Sequence, residues 1–448
     1  SVSGNWTVAG SPYYITDTTY ISDYDTLQIE AGVEVVFQGR YPFQVGLSAL
    51  IRAIGTFEDP ILFYPEDTLE KWCGLRLNNC DDNSILYHCI IEHGLASGEW
   101  PDECGGGLYL KLTDMQIRNC TIRRCTAGYG GGIYIAFGHP IIDGNIIVDN
   151  HATERAGGLG TDNASPTIVN NVICDNSSEG DGGGILWWAF RGASINNTIC
   201  NNTAATYGGG ISAGNGPFVT LMNTIMFNNV AGIEENEIAI MSTDTIYAAY
   251  SILDTFECRG IKITGPGWSN DCPLFIADPD FPYMQDGTSP GVDTGFDSIY
   301  VPFLDTTFHA PDADLREYIR PWSGNYDMGA YETGSVTQID DPSNAFLPDN
   351  IKISTYPNPF NSAVRITIDD VGAHGRAPSR IEIFDMNGRK ITPPTPLDRG
   401  EHGKSPLSKG DLGGLFVWRP GENIGSGIYL VRATVGDESV SKRIVYLK

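Results

Sequence analysis

The hydrophobic and polar positions of this chain form a pattern that returns at a nearly fixed interval. Two or three consecutive glycines precede an aliphatic residue at positions 108, 133, 159, 185 and 211, which are steps of 25, 26, 26 and 26 residues. A repeat of this length, with turn residues at fixed offsets, is typical of a solenoid in which each repeat is one coil.

A second phrase lies between the glycine runs and keeps the same step. It begins and ends with Asn at 145–150, 171–176 and 197–202, and its central residues are Ile147, Ile173 and Ile199. A step of 26 residues is too short for two helices with their loops. Apolar and polar positions instead alternate over short segments, as in half-buried strands. We therefore predict coils of two or three parallel strands, stacked about 4.8 Å apart, with these isoleucines in one buried row.

Residues at equivalent positions of successive coils form columns along such a solenoid. Amide side chains stacked in one column can hydrogen-bond to each other and satisfy buried backbone groups. The glycine positions suit a turn with positive φ, or a site where no Cβ fits. The predicted amide ladder consists of Asn145, Asn171, Asn197 and Asn223.

The columns also assign partners to two arginines. Arg123 shares a column with Glu92, and Arg124 aligns with Asp149 of the next coil. We predict that both arginines form structural ion pairs and are not catalytic bases. An open groove free of carboxylates beside them would favour an enzymatic role instead.

The composition changes near residue 335, and the repeat is absent beyond it. We predict a solenoid over 1–335, a linker over 336–349 and a second domain over 350–448. Alternating segments follow, two of them joined by the dipeptide Asn387-Gly388, which favours a hairpin turn. Several short strands in a domain of this length predict a small Ig-like β-sandwich.

Further phrases in the first domain have a family resemblance. The segments Ile-Glu-Ala-Gly-Val-Glu-Val at 29–35 and Trp-Cys-Gly-Leu at 72–75 are similar to first coils, and 289–295 with 327–332 are similar to a closing segment. With the Asn and Gly repeats, residues 1–335 resemble the right-handed parallel β-helices of the pectin-lyase-like superfamily. The resemblance implies an all-β chain. It implies no activity, because this scaffold carries lyases, hydrolases, adhesins and inert surface proteins alike.

The second domain has a resemblance of its own. Its phrases are Tyr-Pro-Asn-Pro-Phe-Asn at 356–361, Ile-Phe-Asp-Met-Asn-Gly-Arg at 383–389, Gly-Ser-Gly-Ile-Tyr-Leu-Val at 425–431 and the closing 442–448. They closely resemble the C-terminal sorting domain of the type IX secretion system, apart from a Pro/Gly-rich insertion at 393–409. The resemblance implies that the type IX secretion machinery is a partner. It also implies a secreted or cell-surface location outside the outer membrane of a Gram-negative-type bacterium.

Charge is distributed unevenly between the two parts. Residues 349–448 hold 14 Lys and Arg against 11 Asp and Glu, and the remaining 14 basic and 44 acidic residues give 1–348 a formal net charge of −30. Such a surface repels nucleic acid and anionic lipid, so we expect neither as a partner. The sequence contains no segment long and apolar enough to span a membrane, and the chain as given begins like a mature exported form.

Aromatic residues give a hint of binding. Exposed aromatic rings can stack on sugar rings, so we predict a carbohydrate-binding surface near the glycine turns. The alternative is that these rings lie beneath an insertion or pack against a neighbouring molecule. The candidates are Tyr109, Tyr134, Trp187, Trp188 and Phe190, with Trp100 in the longer turn at 94–104.

Two other kinds of site are candidates. Asp293, Asp297, Asp312 and Asp314 crowd one irregular region and are possible Ca²⁺ ligands, although Arg320 and Asp327 there suggest a structural cap. Cys258 and Cys272 flank a short loop and are the best disulfide candidate, which fits an oxidising exterior. Cysteine spacing predicts no zinc site.

Taken together, the sequence favours a secreted or cell-surface, non-catalytic β-helix protein that binds carbohydrate or assembles with copies of itself. The alternative is a polysaccharide lyase or a glycoside hydrolase acting on the coil face. A lyase needs a basic residue such as Arg123 or Arg124, and a hydrolase needs paired carboxylates such as Asp149 and Asp175.

Overall fold

In the computed structural model the chain forms two compact units, Ser1–Val336 and Thr337–Lys448. The predicted linker at 336–349 lies outside the described residues. The structure describes 1–189, 191–215, 218–233, 237–240, 245–253, 262–276, 278, 281–302, 304–318, 320–321, 325–333, 351–356, 364–370, 380–385, 390–391, 395–396, 414–418, 420, 427–435 and 438–446.

The first unit is a parallel β-solenoid, as predicted. Three long sheets run along it, and each sheet takes one short strand from most coils. Sheet A consists of Gly4–Trp6, Thr26–Ile29, Leu50–Ile54, Ile85–Tyr87, Gln116–Arg118, Ile141–Asp143, Thr167–Val169, Arg191–Ile195, Phe218–Met222, Thr245–Ala249 and Lys262–Thr264.

Sheets B and C complete the wall of each coil, and a narrower sheet D covers one corner. Sheet B consists of Tyr13–Ile15, Glu34–Phe37, Ile61–Pro65, Cys89–Glu92, Thr121–Arg123, Ile146–Val148, Val172–Cys174, Thr198–Cys200, Ile225–Phe227 and Ile252–Leu253. Sheet C consists of Thr19–Ile21, Phe43–Val45, Leu75–Asn78, Leu108–Lys111, Ile133–Ala136, Leu159–Asp162, Ile185–Trp188, Ile211–Gly214 and Ile238–Ile240. Sheet D consists of Thr126–Tyr129, His151–Arg155, Ser177–Ser178, Thr203–Ala204 and Val230–Ala231.

The register of sheet B confirms the predicted isoleucine row. Ile147 pairs with Ile173, and Ile173 pairs with Ile199. All three are fully buried in the continuous core inside the coils. Each strand is too short to be stable alone, so the stacking of equivalent residues supplies most of the apolar burial that stabilises the solenoid.

The glycine runs mark a turn that enters sheet C, and two physical reasons fix them. The first residue of the run has positive φ, between 64° and 70° at Gly105, Gly130, Gly182 and Gly208. At the second residue a Cβ would clash with backbone, since it would stand 2.4 Å from a carbonyl oxygen at Gly131. The coils approach too closely there for any side chain.

Buried asparagines form two ladders, and one differs from the prediction. Asn145, Asn171 and Asn197 are linked by side-chain amides 3.0 Å apart, as predicted. Thr224 continues this column where Asn223 was predicted, because the step from Asn197 to its partner is 27 residues. A second ladder, which the sequence analysis did not separate from the first, runs through Asn150, Asn176, Asn202 and Asn229.

The described residues between 281 and 333 form a closing segment that packs on the outside of sheets A and B. It contains an antiparallel hairpin of Ser298–Val301 and Thr306–His309. Turn asparagines between the two sheets donate to its backbone, for example Asn119 to the Leu315 carbonyl at 3.1 Å and Asn170 to the Ala313 carbonyl at 2.9 Å. The solenoid thus supports this segment along several coils.

The second unit contains two four-stranded antiparallel sheets. One consists of Ile351–Tyr356, Val364–Asp370, Gly414–Trp418 and Thr395–Pro396, and the other of Lys390–Ile391, Arg380–Asp385, Gly427–Val435 and Glu438–Tyr446. Within the described ranges of the whole chain, helix is limited to the 3₁₀ turn Val8–Gly10, and no helix is long and apolar enough to cross a membrane. The chain is all-β, as predicted.

Candidate functional site

A cavity of about 740 Å³ lies between the outer face of sheet B and the closing segment. Sheet B contributes the side chains that its alternation turns outward, and the closing segment covers them from the other side. The principal lining residues are Phe57, His88, Arg123, Arg124, Asp149, Asp175, Phe281, Arg316, Glu317 and Tyr318. The volume is within the range of small-ligand sites.

Two arginines enter the cavity from the coils, and they differ in their partners. Arg123 Nε donates to Glu92 Oε2 at 2.7 Å, which confirms the predicted pair. The predicted Arg124–Asp149 pair is wrong, because among the described residues no nitrogen of Arg124 lies within 4.0 Å of a carboxylate oxygen of Asp149. Arg124 and Asp149 both lie at turn positions with positive φ, of 57° and 56° respectively. Both side chains line the cavity instead.

The closing segment brings a third arginine that is already paired. Arg316 donates to Asp314 Oδ2 at 3.0 Å and 2.8 Å, and its guanidinium lies 4.5 Å from the centre of the Tyr318 ring. This arrangement fixes Tyr318 at the mouth of the cavity, where the residue is 50% exposed. The ring therefore offers a face to solvent.

Tyrosine hydroxyls hold two cavity carboxylates in place. Tyr283 Oη donates to Asp175 Oδ2 at 2.5 Å, and Tyr87 Oη donates to Glu317. Burial, with a contribution from the neighbouring carboxylate, raises the pKa of both tyrosines above the usual value. The tyrosines thus remain protonated donors through the neutral range, and Asp175 and Glu317 accept from them as carboxylates.

His88 lies beside these groups. Burial lowers its pKa below the usual value, although Glu317 and Glu58 oppose the shift. The imidazole is therefore more readily neutral at physiological pH, when it can both donate and accept a hydrogen bond. The apolar end of the cavity is formed by Phe57, which stacks on Phe281 with ring centres 5.8 Å apart and is 60% exposed.

Arg123 and Arg124 therefore face a cavity that also contains carboxylates. Asp149, Asp175 and Glu317 line the same cavity. By the criterion set from the sequence, this arrangement does not favour a lyase.

The aromatic candidates from the sequence lie elsewhere, over sheet C. Tyr109 and Tyr134 stack with ring centres 6.3 Å apart and are largely buried, at 8% and 4% exposure. Trp100, at the tip of the 94–104 turn, lies edge-on to Tyr134 at 5.6 Å and is 51% exposed. The 94–104 turn, through Trp100, therefore covers part of Tyr134.

The remaining aromatic candidates differ in their exposure to solvent. Trp187 is fully buried in the core and presents no face to solvent, because it points inward in sheet C. Trp188 is the next, outward position of the same strand and is half-buried. Phe190 lies outside the described residues. A sugar-binding role for Tyr109, Tyr134, Trp188 and Trp100 stays a prediction, with Trp100 the most accessible ring.

The four aspartates suggested for calcium do not come together. Among the residues that the structure describes, no three His, Cys, Asp or Glu side chains form a group that could hold a metal. Asp314 is buried and accepts from Arg316, and the Asp293 backbone amide donates to Asp327 Oδ1 at 2.7 Å. The Asp297 backbone carbonyl accepts a hydrogen bond from the Ala310 amide. The region acts as a structural cap.

The cap is built around Arg320, which is fully buried. Its guanidinium donates to the Asp327 carbonyl at 3.1 Å, to the Gly329 carbonyl at 2.9 Å and to Glu332 at 3.3 Å. The Arg320–Asp327 contact expected from the sequence is present, but it uses the Asp327 backbone.

One of the two cysteines of the predicted disulfide is not among the described residues. Cys258 lies outside the described residues, and Cys272 is exposed and not bonded to any cysteine in the described ranges. The other described cysteines are free thiols and most are buried. Cys120 stands in the Asn145 column, where its backbone amide donates to Asn145 Oδ1 at 2.9 Å.

No protein-family model matches the chain, and no curated protein or solved structure is significantly similar to it. The geometry of the site therefore carries the functional argument.

Sequence reasoning missed the closing-segment side of the cavity. Tyr87 and Glu317 are 230 residues apart, and Asp175 and Tyr283 are 108 apart. No spacing signal links positions so distant when only one of them belongs to the repeat. The available signal was the column of outward coil residues, which placed Arg123, Arg124, Asp149 and Asp175 near one another.

Proposed function

We propose that this protein is a secreted or cell-surface, non-catalytic β-helix that binds carbohydrate, and that the cavity beside sheet B is the binding site. The observation that carries the proposal is the combination in one cavity of hydrogen-bonding side chains and two exposed aromatic rings, Phe57 and Tyr318. Sugars need both, because their ring faces are apolar and their edges carry hydroxyl groups.

Two unpaired groups supply the polar half of the site. Arg124 offers up to five N–H donors and Asp149 offers two acceptor oxygens. Neither forms an ion pair with another described residue. A ligand that bonds to both would satisfy groups that otherwise bond only to water, without first breaking a protein contact.

The location of the protein is part of the same proposal. The phrases at 356–361 and 442–448 support export by the type IX secretion machinery, and a sandwich of the two antiparallel sheets fits such a domain. Trp418 of one sheet contacts Tyr429 of the other, with ring centres 5.2 Å apart, and both rings are buried. For the first unit we propose the right-handed coil of the pectin-lyase-like superfamily.

The test is a glycan-array screen of the full chain, followed by calorimetry with any saccharide that binds. Arg124→Ala should weaken binding about tenfold or more, which corresponds to roughly 1.4 kcal/mol. Arg52→Ala is the matched control, because Arg52 lies on the outer face of sheet A and does not line the cavity. Absence of binding to any glycan, or equal loss in both variants, would overturn the proposal.

A glycoside hydrolase is the second candidate, favoured by one observation. Asp149 and Asp175 occupy adjacent coils and line the same cavity, as a pair of catalytic carboxylates would. A hydrolase would release reducing ends from a bound polysaccharide, and Asp149→Asn would abolish the release even at a saturating polysaccharide concentration. Purified protein that binds a polysaccharide and leaves its chain length unchanged supports the non-catalytic function.

A further inference from the structure

We propose that the saccharide taken by this cavity is uncharged, and that three carboxylates lining the cavity exclude chains of uronic acids. The inference rests on the proposed function and specifies the ligand class of the same site. It depends on which charged groups of the cavity are already engaged by the protein and which are available to a ligand.

Two of the three arginines that line the cavity already form ion pairs with carboxylates of the protein. Arg123 is paired with Glu92 and Arg316 with Asp314, both within 3.0 Å. A ligand carboxylate could use these arginines only by competing with a carboxylate that the protein already holds in place. Arg124 is the cavity arginine for which no ion pair forms among the described side chains.

The negative charge of the cavity is retained. Asp175 and Glu317 accept hydrogen bonds from the neutral hydroxyls of Tyr283 and Tyr87, which orient the carboxylates and leave their charge in place. Asp149 has no cationic partner in the described structure. Three carboxylates therefore stand against one available arginine, on a part of the chain with a formal net charge of −30. A ligand that carries one carboxylate per ring meets repulsion at each of them.

A neutral sugar suits the same groups. Each sugar hydroxyl both donates and accepts, so neighbouring hydroxyls can donate to Asp149 and accept from Arg124 at once. Asp175 and Glu317 keep acceptor capacity beyond their tyrosine bonds, because a carboxylate has about four lone-pair sites. Hydrogen bonds to charged partners are stronger than neutral ones, and the exposed rings of Phe57 and Tyr318 can stack on the sugar faces. Specificity for an uncharged ligand follows from repulsion of the charged one.

The test compares pairs of oligosaccharides that have the same ring configuration and linkage and differ only in oxidation at C6, such as a galactan with a galacturonan and a glucan with a glucuronan. Affinities of the full-length protein are measured by calorimetry at low salt. We expect the neutral member of a pair to bind at least about tenfold more tightly. The difference should shrink as salt rises, because screening weakens the repulsion.

A charge-removing variant identifies the cause. Glu317→Gln retains the size of the side chain and an acceptor for Tyr87. It should raise the affinity for the uronate about threefold or more and should not raise the affinity for the neutral ligand, because only the uronate is repelled by the charge that is removed. Glu70→Gln removes an equal charge at an exposed position that does not line the cavity and should change neither affinity. Melting curves of both variants show that each remains folded.

The outcomes separate the two proposals. If no saccharide binds, the proposed function fails and this inference fails with it. If the uronate binds as tightly as the neutral partner, or more tightly, the inference is overturned while carbohydrate binding stands. If the neutral ligand is preferred but Glu317→Gln and Glu70→Gln behave alike, the cavity carboxylates are not the cause and the inference is also overturned.

Discussion

The repeated coils at 108–229 and the closing segment at 281–333 solve the same problem in different ways. Both bury backbone amides and carbonyls that need hydrogen-bond partners. The coils use neutral asparagine amides, each bonded to its counterparts in the adjacent coils. The closing segment uses charged groups, with Arg320, Glu332 and Asp327 buried together. The comparison shows how repetition changes the chemistry available to a protein.

A repeated position can use one residue type throughout, because each asparagine both donates to and accepts from copies of itself. A segment that occurs once has no such copies, so each of its carbonyls needs a partner chosen for that place. Arg320 reaches two carbonyls and a carboxylate at once. The cost is a set of buried charges that are stable only as a complete set.

The largest effect is expected from breaking that set. Arg320→Met removes the guanidinium that pairs with the buried Glu332 and leaves the Asp327 and Gly329 carbonyls with one donor fewer. We expect a loss of about 3–5 kcal/mol from the stability of the closing segment, because an uncompensated charge remains buried. Hydrogen exchange of amides in 281–333 measures this loss directly.

A second variant checks whether the charge is responsible. Arg320→Met combined with Glu332→Leu removes both charges and should recover a large part of the lost protection. If the double variant exchanges as fast as the single one, the two carbonyl contacts and not the ion pair stabilise the cap.

A somewhat smaller effect is expected in the coils. Asn176→Ala removes the amide that donates to the Ile147 carbonyl at 2.8 Å and accepts from the Asn150 backbone amide at 3.1 Å. These buried groups then lack partners, and we expect a loss of about 2–4 kcal/mol, measured by urea unfolding. Asn83→Ala is the control: Asn83 is exposed, so the change should stay within about 1 kcal/mol. Equal losses in both variants would show that the ladder has no special role.

The smallest effect is a difference in pH dependence. Burial raises the pKa of Asp327 above its ordinary value of 3.8, although Thr333 and the Asp293 amide donate to the carboxylate. Between 3.8 and the raised value, the folded state binds more protons than the unfolded state, so the contribution of Asp327 to stability falls as pH rises through that window. The nearby Arg320 guanidinium also lowers the pKa of Asp327 and so opposes the effect of burial.

The measurement is the slope of unfolding free energy against pH, from neutral pH down to the ordinary carboxyl range. Asp327→Asn should lose this contribution, so acidification should stabilise the wild type more than the variant. Asn176→Ala should keep the wild-type slope, since its ladder contains no titrating group. Parallel curves for the wild type and Asp327→Asn would contradict the assigned role.

The repeated region was readable from sequence because each conclusion was drawn from several copies. The isoleucine row and the glycine turns follow from spacing alone. Asn223 was misplaced because it follows Asn197 by the regular step of 26 residues, whereas this coil has one residue more and Thr224 holds the place. A regular step therefore fails where a single coil gains a residue.

Only the coil side of the cavity could be predicted from the sequence. The coil side was located by columns, yet the Arg124–Asp149 pair was wrong because alignment in a column fixes Cα positions and not the direction of long side chains. The closing-segment side occurs once, and its contacts with the coils are more than 100 residues distant in sequence, as between Asp175 and Tyr283. Such contacts depend on the path of the chain after the last coil.

The second asparagine ladder has a direction. Every carboxamide oxygen in it faces the preceding coil, and the final amide, that of Asn229, donates to the carboxylate of Glu237 at 2.6 Å. The N–H end of the aligned amides thus lies beside the Glu237 carboxylate. Because a carboxylate only accepts hydrogen bonds, it cannot donate to a further amide and the ladder ends there. New coils can therefore be gained or lost by duplication within the row, whereas a coil added directly after Asn229 would have to replace its contact with Glu237. Variation in rod length between descendants of this chain should occur upstream of Glu237.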